Sequence, residues 1–192
     1  KIGTFTATTV GFNDGVTIAT GDNSDTLTLK STDDDAGAGP VLNMVRDSAS
    51  PADGDGIARI YFTADNDAGE PENFVRIKAS IIDASNGSED GQLRISRMIG
   101  GGDQNVLSFL NTETVVNDDS KDLDFRVESD GNTHALFVDG GNNHVNIGTS
   151  TAYAGKLNIE TTDNSFNLFL VSTDADANAG PNMKFYRNSG SP

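Results

Sequence analysis

The sequence has no cysteine and no tryptophan. Without cysteine, no disulfide can hold the fold and no thiolate can act as nucleophile or metal ligand; the redox compartment stays open. Apolar residues are scarce at 35%, below the share of an ordinary compact globule. That deficit points to much loop or to a thin body that buries little per chain. No apolar run approaches the roughly 18 residues of a membrane span, so membrane insertion is not expected. Positive charge is also scarce: 13 Lys and Arg stand against 29 Asp and Glu, a net charge of −16. Nucleic acid and anionic membranes are poor partners for such a surface. It reads either as a well-solvated surface or as one suited to high salt, where screening shortens to a few ångströms. No signal peptide is recognisable and the chain begins at Lys1 rather than Met, so a segment of a longer protein is expected.

Helical periodicity is missing too. No window keeps an i, i+3, i+4, i+7 apolar stripe for three turns without Gly, Pro or Asn-Gly interrupting it. What is present is alternation. Ala58, Ile60 and Phe62 alternate with Arg59, Tyr61 and Thr63; Val75, Ile77, Ala79 and Ile81 alternate with Arg76, Lys78 and Ser80. Alternation of this kind marks strands with one buried and one wet face. Strands are expected at 26–31, 41–46, 57–63, 74–82, 91–99, 105–111, 123–128, 134–139, 144–148, 156–160, 167–172 and 182–187. Between them lie Gly, Asp, Asn, Ser and Thr, each a turn former for its own backbone reason. The connections at 65–73, 83–90 (with Asn86-Gly87) and 100–105 are too short for a parallel crossover, so an antiparallel meander is expected. Disorder is the competing reading for an acidic, Gly-rich chain, but the apolar residues are patterned too regularly for it.

A long internal repeat organises the chain. Residues 22–51 and 163–192 align without a gap at an offset of 141, with 17 of 30 positions identical. Asp33, Asp35, Ala36, Ala38, Gly39 and Pro40 recur as Asp174, Asp176, Ala177, Ala179, Gly180 and Pro181, while Leu27 and Leu29 recur as Leu168 and Leu170. Ile18 and Thr20 likewise match Ile159 and Thr161. Turns and apolar positions persist while exposed-type positions drift, which preserves a backbone path rather than a reactive site. The expected organisation is the end of a preceding unit at 1–21, an antiparallel β domain at 22–121, a separate module at 122–150 and the start of the next unit at 151–192.

The module at 122–150 reads as a three-stranded meander with turns at 129–132 and 140–143. Its apolar residues, Leu123, Phe125, Val127, Leu136, Val138, Val145 and Ile147, fall on one face. A lone three-stranded sheet has nothing to bury that face against. The expected solution is a homotrimer in which these seven residues form the core around a threefold axis, as a β-prism. The alternative is that the strip packs onto the preceding domain of its own chain.

Chemistry is sparse. His134 and His144 flank the central turn; without cysteine or a His pair at i, i+4 they do not read as a zinc site. The carboxylates sit mostly in turns beside Gly, Asn or Ser, where they cap backbone groups, and none stands in an apolar strand setting that would raise its pKa. Asp65, Asp67 and Glu72 in one loop and Asp33, Asp34 and Asp35 in another come closest to a calcium site, but neither matches the EF-hand spacing. Gly100, Gly101 and Gly102 lack the lysine of a phosphate loop. No catalytic, metal or cofactor site is expected.

Several stretches resemble tail-fibre proteins of phages, marine ones especially: DFRVESDGNTHALFVDGGNNHVNIGTS (124–150), STDDDAGAGP (31–40), RDSASPADGDGIARI (46–60) and DASNGSEDGQLRI (83–95). The resemblance covers the chain from about Asp22 to Pro192. It implies an all-β, elongated, trimeric fibre in the virion. Its partners would be other virion tail proteins and, through a tip outside this segment, a host-surface glycan or protein. The function implied is that of a shaft segment that positions the tip. A repeat domain of a bacterial surface adhesin, or a glycan-contacting fibre module, is the alternative. A glycan cleft would show exposed aromatics, and the chain offers only three tyrosines: Tyr61, Tyr153 and Tyr186.

Overall fold

A computed structural model describes residues 12, 15–151, 153–161 and 168. The protein is all-β: the described residues hold strands and no helix. The chain divides into two units, residues 1–45 and 46–192.

In the first unit the described stretch 15–45 contains no strand, which corrects the expectation of strands at 26–31 and 41–46. Leu27 is 62% exposed and Val41 72%. An extended segment becomes a strand only when another backbone takes its N–H and C=O groups, and among the described residues none does. The chain is instead shaped by local side-chain bonds. Ser31 Oγ accepts the Asp33 amide, Asp33 Oδ1 the Asp35 amide and Asp35 Oδ1 the Gly37 amide, the last at 2.6 Å. The acidic run is thus a ladder of turns that each cap the next. The second copy of this repeat, 163–192, lies outside the described residues apart from Leu168.

The second unit carries two sheets. The first is a meander in strand order β1-β2-β3-β4-β5, formed by Gly56–Asp65, Pro71–Asp83, Asp90–Ile99, Gly102–Phe109 and Thr114–Val116. All four pairings are antiparallel, as the short connections required. Gly100 and Gly101 link β3 to β4 with φ of 57° and 79°. Two consecutive positive φ values make the turn whose twist matches a hairpin. Asn66 closes the β1–β2 loop: its Oδ1 accepts the amides of Ala68 and Glu70. The strand β5 was not anticipated, because three residues are too few to show alternation.

Register sorts this sheet into two faces. Ile60, Ile77, Ile95, Leu107 and Val116 stand opposite one another across all five strands, and Ala58, Ala79, Leu93 and Phe109 form a second apolar row. A bulge at Val106 keeps β4 in step: Ile95 faces Leu107, yet Ser96 faces Asn105. The extra residue turns Asn105 to the polar face. The loop after β5 satisfies the backbone that the bulge leaves open. The Asn117 amide donates to the Val106 carbonyl at 3.0 Å, and Asp119 accepts the Asn105 amide at 2.6 Å and its side-chain amide at 3.2 Å. Ser108, fully buried, donates to Asp118 at 2.8 Å.

The second sheet has the order β6-β7-β8-β9, formed by Phe125–Ser129, Asn132–Asp139, His144–Ile147 and Leu157–Ile159. The expected meander is present as β6–β8. It gains a fourth strand that pairs in parallel with β8, which corrects the three-stranded reading. The segment 148–156 is long enough to carry the chain back to the other end of the sheet, and the Val145 amide then bonds the Lys156 carbonyl while the Glu160 amide bonds Ile147.

The Asn105 backbone amide, then the Asn105 side chain and the nearby Lys121 and Arg94, hold the Asp119 carboxyl below the usual range. A carboxylate with a depressed pKa stabilises the fold above its unfolded pKa of about 4 and loses that contribution as pH falls through its lower folded value. Asp119→Ala should cost about 1 kcal/mol at neutral pH, a charge-assisted bond discounted for partial exposure. The difference in Tm between wild type and variant, followed by circular dichroism, should shrink as pH drops below about 4; a difference independent of pH would mean that the carboxylate is not what holds the bulge.

Candidate functional site

Pairing on the second sheet places the residues expected to form a common core. Phe125, Val138, Val145 and Leu157 stand in one cross-strand row. Val127 faces Leu136, and Ile147 faces Ile159 in the adjacent row. Six of the seven expected residues therefore share one face, and β9 widens the face by Leu157 and Ile159. Leu123 is the exception. It precedes β6, where its amide bonds the Lys121 carbonyl at 2.8 Å. The chain passes so close there that a Cβ on Gly140 would collide with the Leu123 carbonyl.

Among the described residues this face is left partly exposed. Phe125 is 37% exposed and Leu157 58%. The apolar face of the first sheet is equally open, with Phe62 at 53% and Val116 at 46%. Among the described residues Phe137 is the one buried apolar side chain, at 7%.

The buried side chains of the second sheet lie on its other face, and they are mostly polar. Phe137, Asn146 and Asn158 form a row across β7, β8 and β9. Asn146 is fully buried and its Oδ1 accepts the Asn158 side-chain amide at 2.6 Å. This amide-to-amide contact joins two parallel strands that share only short backbone ladders. Alternation in the sequence identifies the two faces but not which one the fold covers.

The histidines take structural places. His134 packs edge-on against Phe137 at 5.1 Å, and His144 pairs with Asp139 across the hairpin. Hydrogen bonds from the Asn142 side chain and backbone, aided by His144, hold the Asp139 carboxyl below its usual range. A shallow groove of about 670 Å3 runs past His134, Thr149 and Glu160. Glu160 is the one carboxylate in its lining, and it accepts a bond from the Tyr153 hydroxyl at 3.2 Å. A glycosidase needs two facing carboxyl groups, and this groove does not supply them. Among the described residues no group of three or more His, Asp or Glu side chains is placed to hold a metal; Asp65 and Glu72 instead sit in the β1–β2 ladder, paired with Pro71 and Ala64.

Asn158→Ala removes the partner of a fully buried amide. Leaving such a group unpaired costs about 1–3 kcal/mol, so the variant should melt several degrees lower with its β-type circular dichroism intact at low temperature. An unchanged Tm would mean that β9 is held by its backbone ladder alone.

No protein-family model, curated protein or solved structure matches the chain.

Proposed function

We propose that the chain is a passive shaft segment of a homotrimeric phage tail fibre, found in the virion, where it spaces a distal recognition tip from the particle. The observation that carries this reading is the open apolar face of each sheet, with side chains stacked in register across four and five strands. An isolated sheet with such a face lacks the burial that ordinarily drives folding. Two further copies of the chain, each offering the same strip around an axis, supply it symmetrically. The long repeat, which preserves turns and apolar positions rather than reactive groups, fits a spacer. So does the resemblance of residues 124–150 to phage fibre sequence. In this role the protein carries out no reaction.

Phe125 is the residue that tests the assembly. A phenylalanine presents about 200 Å2. Closing its exposed third against neighbours is worth roughly 2 kcal/mol per chain at about 25 cal/mol per Å2, hence about 5–6 kcal/mol per trimer. Phe125→Ala should lower Tm and make it depend more steeply on protein concentration. Phe125→Asp should do more, because it gathers three like charges about one axis. Sedimentation or mass photometry of the whole chain measures both. A stable wild-type monomer, or a Phe125→Asp protein that stays fully trimeric, would rule out the axial-core assembly.

A further inference from the structure

The face of the first sheet opposite its apolar rows carries an unusual charge pattern. Arg59 of β1, Lys78 of β2 and Arg94 of β3 stand directly opposite one another in one cross-strand row, with Ser108 of β4 beside them. Arg76 lies in the adjacent row between Tyr61 and Ser96. Four of only 13 Lys and Arg residues in a chain of net charge −16 therefore meet on one face. With Tyr61, Ser96, Asn105 and one carboxylate, Asp103, they line a cavity of about 270 Å3. Ser96, 5% exposed, is a small side chain set among long cationic ones, which makes the surface concave.

Like charges placed directly opposite in a sheet are destabilising. Adjacent strands lie about 4.8 Å apart, inside the Debye length of about 8 Å at physiological ionic strength, so salt does not remove the repulsion. Nor do the neighbours neutralise the row. Arg59 Nη1 donates to the Tyr61 phenol oxygen at 3.0 Å. Arg94 faces two carboxylates, Asp118 at the long distance of 3.9 Å and the nearby Asp119, and Arg76 is the one cation held tightly, by Asp103 at 2.7 Å. The Nε atoms of Arg76 and Arg94 are buried without a hydrogen-bond partner. Lys78, in the middle of the row, has no ion pair among the described residues.

We propose that this pocket binds a compact polyvalent oxyanion, a sulfate or phosphate group, free or carried on a polymer. Such a group has enough acceptor oxygens to engage Arg59, Lys78 and Arg94 at once, and charge-assisted bonds of this kind are the strong ones. The volume falls just below the roughly 300–1,000 Å3 of sites for whole small molecules, which suits a charged head group. The pocket opens on the face opposite the apolar rows. It therefore stays accessible when the apolar face is covered, and the proposal does not depend on the trimer.

Titrating the whole chain with sodium sulfate and with inorganic phosphate, against chloride at matched ionic strength, tests the proposal by NMR shifts and Tm. Dextran sulfate against neutral dextran gives the polymer arm. The expected result is saturable, sulfate- or phosphate-specific binding that perturbs the Arg59–Tyr61 and Lys78 signals. Tighter binding of dextran sulfate than of free sulfate at equal sulfate concentration assigns the site to a polymer-borne group; the reverse assigns it to the free ion. Lys78→Gln should weaken binding about tenfold, the scale of one charge-assisted contact. It should also raise the anion-free Tm, because it relieves the row. Arg126→Gln, on the other sheet where Arg126 pairs with Glu128, should bind as the wild type does. Absence of saturable binding, or equal losses in both variants, overturns the site.

Discussion

Cross-strand register is the constraint on which the rest of the molecule depends. Side chains alternate between faces with a period of two, so a slip of one residue exchanges the faces of a whole strand. Moving β2 by one position would bring Lys78 into the isoleucine row and Ile77 into the cationic row. The apolar row from Ile60 to Val116 and the charged row from Arg59 to Arg94 are one fact seen from two sides. The turns fix it. The Gly100-Gly101 turn sets β3 against β4, and the Asn66 cap sets β1 against β2. Where a turn alone would leave the strands out of step, a bulge corrects the count, as at Val106.

Strict register in single-layer sheets leaves a protein with little interior of its own. The buried side chains of the second unit are mainly small or polar: Ser80, Ser96, Ser108, Asn146 and Asn158. Ser108 is held by its bond to Asp118, and Asn146 and Asn158 by their bond to one another, rather than by apolar packing. Such bonds give net stabilisation of only about 0.5–1.5 kcal/mol each, but an unpaired partner costs more, so they define geometry better than they drive folding. On the trimer proposed above, the driving force comes from burial of the open apolar faces.

Much of this was legible from the residues. Eight of the nine strands among the described residues fall on windows of alternation, because each half-exposed strand writes its faces into the sequence. The expected strands at 26–31 and 41–46 failed for a physical reason. Leu27, Leu29, Val41 and Val45 have the right spacing, but a strand also needs a partner backbone, and pairing is not a property of the segment itself. Thr114–Val116 was invisible because three residues cannot show a period. The parallel pairing of Leu157–Ile159 was missed because a connection such as 148–156 says how far the chain can travel, not where it returns. The cationic row was the largest omission. Arg59, Lys78 and Arg94 are far apart in sequence and unremarkable singly; each sits next to an isoleucine at 60, 77 or 95. Aligning those isoleucines across the strands would have brought the three cations together.

The charge balance sharpens the meaning of that row. In a chain of net charge −16 the surrounding acidic surface might be thought to neutralise any cluster of cations. Screening prevents it, since exposed charges beyond about 8–10 Å contribute little at physiological salt. Only nearby groups matter, and among the described residues those are Asp103 on Arg76 and Asp118 and Asp119 beside Arg94, which leaves Lys78 without an ion pair. Elsewhere acidic residues cap turns, as Asp83 does for Ser85 and Asp35 for Gly37, or pair with other cations, as Asp55 does with Arg46 and Glu128 with Arg126. A sheet could relieve the repulsion by changing one residue, since Gln at position 78 would keep the stem and drop the charge. The structure instead concentrates scarce positive charge in one row, on the side that the apolar face leaves free.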